Sequence, residues 1–222
     1  MTNYLKKTLA FTLAETLIVM GIIGVVSALT LPNLNSATGE KEKVAKVRKI
    51  YRDLDDAVGR AQVVYGPFES WNIGMYDATR FAERITEFMK VSKTCGLASG
   101  KGCFSTKDLY YVNGTKVQET TFDKHTAFYK IVLADGTSVV FIPSDFIWID
   151  IDGPNKGNNT YGKDLFRFEI ENRTVIPSRK NNVSEYMSDT SGLYSSGWII
   201  DYDNMDYLKC RSSLNENKTS CK

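Results

Sequence analysis

The chain has one histidine, His125, only four cysteines and five prolines, and no long block of basic residues. Each shortage removes a class of function. A single histidine cannot furnish a His-rich metal motif and leaves little from which to build a Ser-His-Asp triad. Neither Gly-x-Ser-x-Gly nor a phosphate-cradling glycine loop ahead of a helix occurs. Asp201 and Asp203 in "IIDYDNMD" are paired carboxylates of a kind that acid–base chemistry uses. Acidic, aromatic loops of this sort are more often surface turns, so the chain reads as a protein that is not an enzyme. His125 stands beside a predicted strand and takes the reading of an ordinary surface or hydrogen-bonding residue. With 28 basic side chains against 26 acidic ones, and no basic run interleaved with aromatics, nothing points to nucleic acid as a partner. No internal repeat and no Pro/Ser linker divides the chain. Its 222 residues, 42% hydrophobic, suit one good core carried on one stalk.

What the chain does have is an apolar run at its start. From Phe11 to Leu31 there are 21 residues with a single charge, Glu15. As a helix rising ~1.5 Å per residue this run spans ~30 Å, the thickness of a bilayer core. Lys6 and Lys7 precede it, which keeps the N-terminus cytoplasmic and sends the remainder outward. An ordinary secretory signal cut after Val26-Ser27-Ala28 conflicts with Glu15, because a carboxylate inside the apolar region costs roughly 2–3 kcal/mol on insertion. A plain anchor helix would leave Glu15 without a purpose, and an ionisable residue inside a membrane segment calls for a partner.

The residues around Glu15 resemble the type IV pilins and pseudopilins. Precursors in that family carry a short basic leader, a cut before a Phe, then Thr-Leu-x-Glu and a long apolar helix. Here the leader is "MTNYLKKTLA", the cut falls between Ala10 and Phe11, and "FTLAE" places Glu15 fifth after it; Pro32 is twenty-second. Ala10 stands where the family usually has Gly. The resemblance implies cleavage by a prepilin peptidase, N-methylation of Phe11, and assembly through the helix into a filament of a type IV pilus or a type II secretion machine. It also implies a role for Glu15: its carboxylate pairs with the terminal amine of a neighbouring subunit inside an apolar bundle, where an unpaired charge is costly. The implied partners are other pilin or pseudopilin subunits, the peptidase and the cytoplasmic membrane. The implied localisation is a single-pass membrane protein with an extracytoplasmic head. The rival reading is a membrane-anchored extracytoplasmic binding domain that never polymerises.

The expected organisation is a leader over 1–10, a transmembrane and assembly helix over 11–32, and a head over 33–222. The head includes an amphipathic half of the long helix at about 40–65. Val44, Val47, Tyr51, Leu54, Val58, Ala61 and Tyr65 recur at alternating spacings of three and four, one apolar stripe for packing on a sheet. Pro32 and "NLNSATG" are expected to kink or open the helix between its halves. A short second helix is predicted over "DATRFAERITEFMKV", capped by Asp77, with Phe81, Ile85, Phe88 and Met89 on one side. Strands are predicted in "DLYYV", "TAFYKIVLADGTSVVFIP", "FIWIDID" and "LFRFEIE", with Asp135-Gly136 as a hairpin turn. The fold class is α+β, a long helix on an antiparallel sheet, pilin-like.

Four cysteines allow three pairings. Cys95 with Cys103, and Cys210 with Cys221, each bracket a turn-rich loop, and local pairing suits an oxidising compartment; a zinc site would want closer ligand spacing and a nearby His. The stretch "IDIDGPNKGNNTYGKDLFRFEI" resembles a loop that in some pseudopilins and related pilins holds calcium. The candidate ligands are Asp150, Asp152, Asn155 and Asp164, with Gly153, Gly157 and Gly162 shaping the turns. It is not an EF-hand: twelve counted from Asp150 reaches Tyr161, where a bidentate Glu belongs. The other reading of the same residues is a metal-free Gly/Asn turn whose aspartates bond their own backbone.

Overall fold

A computed structural model of the protein describes residues 13–71, 78–118, 121–143, 146–157 and 159–221, with 27–38 described by backbone alone. By compactness the chain divides into two units, Met1–Lys41 and Glu42–Lys222. One helix, α1, is assigned from Leu13 to Tyr65. Where a kink or opening is expected, at Pro32 and "NLNSATG", α1 is assigned as helix throughout. A proline removes one backbone donor, and a helix absorbs that loss while the bonds on either side persist. At its end Gly66 takes φ 84°, the left-handed conformation that closes helices, and Pro67 follows.

In the larger unit a six-stranded antiparallel sheet is built from β1 (Val91–Gly96), β3 (Tyr129–Leu133), β4 (Ser138–Phe141), β5 (Phe146–Asp150), β7 (Leu165–Glu171) and β8 (Thr174–Pro177), neighbours in that order. A separate parallel pair joins β2 (Leu109–Tyr110) to β6 (Asn159–Thr160). The β3–β4 hairpin turns as expected at Asp135-Gly136: Gly136 donates its N–H to Leu133, and Leu133 donates to Thr137. The strand expected in "DLYYV" is only Leu109–Tyr110 and lies outside the main sheet. The second helix, α2, is Thr79–Thr86, shorter than predicted. Its Phe81 and Ile85 are buried, with Phe88 and Met89 packed against the core just beyond it, while Asp77 lies outside the described residues. Val91, predicted inside that helix, instead opens β1. Two further helices, α3 (Val183–Ser188) and α4 (Ser195–Tyr202), follow the sheet.

The sheet is covered on both faces, which explains why β3, β4 and β5 read as almost continuous apolar runs. One face joins the helix. Val44, Val47, Ile50, Leu54, Ala57, Val58 and Ala61 are buried in a single cluster with Ile131, Val139, Phe141, Ile147, Ile149, Phe166 and Phe168. The expected stripe is therefore right in position and wrong at its margins. Ile50 and Ala57 widen it, Tyr51 stacks on Phe168 at 5.7 Å, and Tyr65 is outside the core. On the other face Phe104, Leu109, Val117, Phe122 and Tyr161 cover Val140, Trp148 and Leu165.

Both disulfides are formed locally, Cys95 to Cys103 and Cys210 to Cys221. With all four thiols spent, no cysteine remains for zinc. The first disulfide loop is also clasped by Lys130, which is fully buried on β3. Its ammonium donates to the carbonyls of Leu97, Asp123 and His125, and burial pushes its pKa down. His125 stacks on Phe128 with ring centroids 4.1 Å apart.

Candidate functional site

Two regions carry the residues singled out by the sequence. The first is the start of α1. Leu13, Leu17, Ile18, Val19, Met20, Ile22, Ile23, Val25 and Val26 are 52–80% exposed. Leu17 to Met20 are consecutive, and a helix points consecutive residues ~100° apart, so the apolar surface runs all the way round. Glu15 sits on the same exposed segment, in the first turn. Among the described residues no helix is long and apolar enough to cross a membrane. Of the expected apolar run to Leu31, residues 27–31 are described by backbone alone. Ala10 and Phe11 lie outside the described residues, and Pro32 is described by backbone alone.

The second region is the loop between β5 and β7. Asp150 ends β5 and is fully buried. Its Oδ1 accepts the N–H groups of Asp152 at 3.0 Å and Gly153 at 3.1 Å, closing a tight turn. Only glycine fits at 153: a Cβ there would come within 2.2 Å of the Gly136 carbonyl oxygen in the β3–β4 turn. The other carboxylate oxygen of Asp150, Oδ2, is buried without a partner. Asp164 is buried beside it, and its Oδ1 accepts from Thr160 N–H at 2.5 Å. Burial, reinforced by the charge of Asp164, pushes the Asp150 carboxyl up to about 7. Burial likewise raises Asp164 to about 6, against the opposing pull of the Thr160 N–H and Lys43.

The other two expected ligands behave differently. Asp152 is half-exposed and pairs with Lys43 at 3.7 Å, and Asn155 is exposed. The backbone carbonyls of the loop are also engaged: Lys43 donates to Lys163 at 3.1 Å and Lys46 donates to Ile151. Calcium wants six to eight oxygens around one point. Among the described residues no three acidic, cysteine or histidine side chains converge to hold a metal. The unpartnered Asp150 oxygen is one donor suited to a cation, but the set as a whole does not fit calcium.

Sequence reasoning missed the two lysines. The available signal was their placement: Lys43 and Lys46 stand three apart on a helix and flank the buried Val44 and Val47, so they overhang whatever the stripe packs on. Asp201 and Asp203 both stand near the end of α4. They go to different arginines, Asp201 to Arg179 at 3.5 Å and Asp203 to Arg48, and Asp203 closes α4 at φ 56°. A surface hollow of about 580 Å³ is lined by Thr106, Asp108, Lys116, Gln118, Thr121 and Lys124, and its Asp108 and Lys116 are spent on each other at 2.8 Å. Comparison of the chain with protein-family models, curated proteins and solved structures finds no match.

Proposed function

We propose that the protein is a structural subunit, a minor pilin or pseudopilin, of a type IV pilus-like or type II secretion filament, anchored in the cytoplasmic membrane and polymerised through its N-terminal helix. The observation that carries this reading is the start of α1, where apolar side chains are exposed on every side around one carboxylate, Glu15. A helix hydrophobic all round belongs in a membrane or in the core of a bundle. A filament supplies both in turn, first the bilayer where the subunit waits, then the packed helices of its neighbours. The leader, Phe11 and Glu15 stand in the register that this pathway requires.

Removal of the leader would expose the amine of Phe11, and Glu15 of an incoming subunit would pair with that amine, setting axial register. The head, with its own core and two disulfides, then rides on the outside as a folded cargo of the helix. Intact mass spectrometry of the protein from its native membrane, with N-terminal sequencing, tests the pathway. A chain beginning at Phe11 and heavier by one methyl group is the expected result; a Met1 terminus or a cut near Ala28 overturns it in favour of an anchor or a secreted protein. Glu15→Ala should leave membrane insertion intact and abolish incorporation into the filament, read by shearing filaments from cells and probing both fractions.

A further inference from the structure

The loop between β5 and β7 has the look of a cation site, yet its acceptors are already taken. We propose that Lys43 and Lys46 of the long helix are the resident cations of this loop, so that the head locks onto its helix without a divalent ion. The proposal concerns the head alone and does not depend on filament assembly.

Geometry carries it. Asp150 of β5 is paired with Leu165 of β7, so the chain leaves one strand and enters the next at the same level of the sheet. Just past those strand ends Ile151 donates its N–H to the Asp164 carbonyl at 2.9 Å, so the ladder runs one step into the loop, and the carbonyls of Ile151 and Lys163 stand at its two ends. Residues three apart on a helix face present their side chains ~5–6 Å apart. Lys43 and Lys46 match that interval: Lys46 donates to the Ile151 carbonyl, and Lys43 donates to the Lys163 carbonyl at 3.1 Å while pairing with Asp152 at 3.7 Å. The buried Val44 and Val47 beside them fix the height of both stems over the loop.

The chemistry follows the geometry. An ammonium brings three donors and a positive charge, and it satisfies backbone carbonyls that a calcium ion would otherwise collect. For calcium to enter, both lysines would have to withdraw from bonds that are charge-assisted and half-shielded from water. Asp150, the expected ligand with an unpartnered buried oxygen, receives no hydrogen bond from either lysine. A single carboxylate oxygen cannot replace the acceptors that the lysines hold.

The test uses the full chain in detergent, titrated calorimetrically with calcium chloride and melted in millimolar calcium or in EDTA. The wild type is expected to give no saturable heat and the same Tm in both. The double variant Lys43→Met/Lys46→Met is expected to melt lower by roughly 3–10 °C in EDTA. Lys46→Arg, which keeps the charge and a donor, should melt near the wild type. A saturable calcium heat with a rise in wild-type Tm overturns the proposal. So does a double variant that melts with the wild type in EDTA. If the double variant fails to fold, the wild-type calorimetry still decides.

Discussion

Two stretches of α1 differ in everything but backbone. Over Leu13–Val26 the apolar side chains point in all directions and are exposed; over Val44–Ala61 they form one stripe, and that stripe is buried. The stripe has its partner within the same chain, namely the sheet residues from Ile131 to Phe168. The apolar side chains of the first stretch are exposed among the described residues. Helical periodicity thus separates the part of the helix that packs on the sheet from the part that is apolar on every side, which under the proposed function is the part that meets a membrane or other subunits.

The sharpest way to break this comparison is to truncate one residue in each stretch. Leu54→Ala should cost about 2–5 kcal/mol of head stability, since Leu54 is fully buried and the cavity it leaves has the sheet on its far side. Ile18→Ala should leave the unfolding of the head unchanged within about 0.5 kcal/mol. Denaturant unfolding followed by tryptophan fluorescence reads the head through Trp71, Trp148 and Trp198, none of them in the helix. Equal losses in the two variants would mean that the first stretch also supports the head.

A second, smaller test concerns how the head holds its own end. Cys210–Cys221 closes a loop of eleven residues' separation, and Cys221 N–H donates to the Asp206 carboxylate, which stands just ahead of that loop. Cys210→Ser/Cys221→Ser should cost about 2–3 kcal/mol by the chain-entropy argument. Membrane insertion through the first stretch should be unaffected. Loss of insertion in that variant would show that the two regions are coupled.

How much of this was legible beforehand depends on how local the cause is. The position of the stripe, the Asp135-Gly136 hairpin and the strands around it rest on short-range periodicity and turn chemistry, and they are found; the disulfides take the local pairing out of the three that four cysteines allow, and "DLYYV" keeps only Leu109–Tyr110 as strand. The failures are tertiary. Tyr65 fits the period but lies beyond the sheet, whereas Ile50 and Ala57 are recruited because the sheet is wider than a single row of side chains. Val91 continues an apolar pattern that reads as helix, and it becomes strand because β3 offers it a partner at Leu133. Lys130 looks like a solvent-facing residue of a half-buried strand, and it is buried because the disulfide loop folds over that face. The aspartates of the loop were identified by type and spacing. What spacing could not reveal is which of them would be turned inward and which would meet a lysine from more than a hundred residues away.

That difference inside the loop is measurable through pH. Asp150 and Asp164 have carboxyls raised by burial to about 7 and about 6, from an ordinary value of 3.8. A raised folded-state value means that the native head binds more protons than the unfolded chain between about pH 4 and pH 7. Their contribution is complete below the unfolded value and is lost as pH rises through the folded one. Stability of the head should therefore fall on going from pH 5 to pH 8, by at most about 1.4 kcal/mol per pH unit for each group. The first stretch of α1 has no part in this, so a change at Glu15 should leave the profile alone. Asp150→Asn keeps the acceptor for the Asp152 and Gly153 N–H groups while removing the charge, and it should flatten the fall between pH 6 and pH 7. Urea melts at successive pH values check the slope. A wild-type profile that rises with pH over this window would mean that the buried carboxylates are ionised and neutralised in the native head.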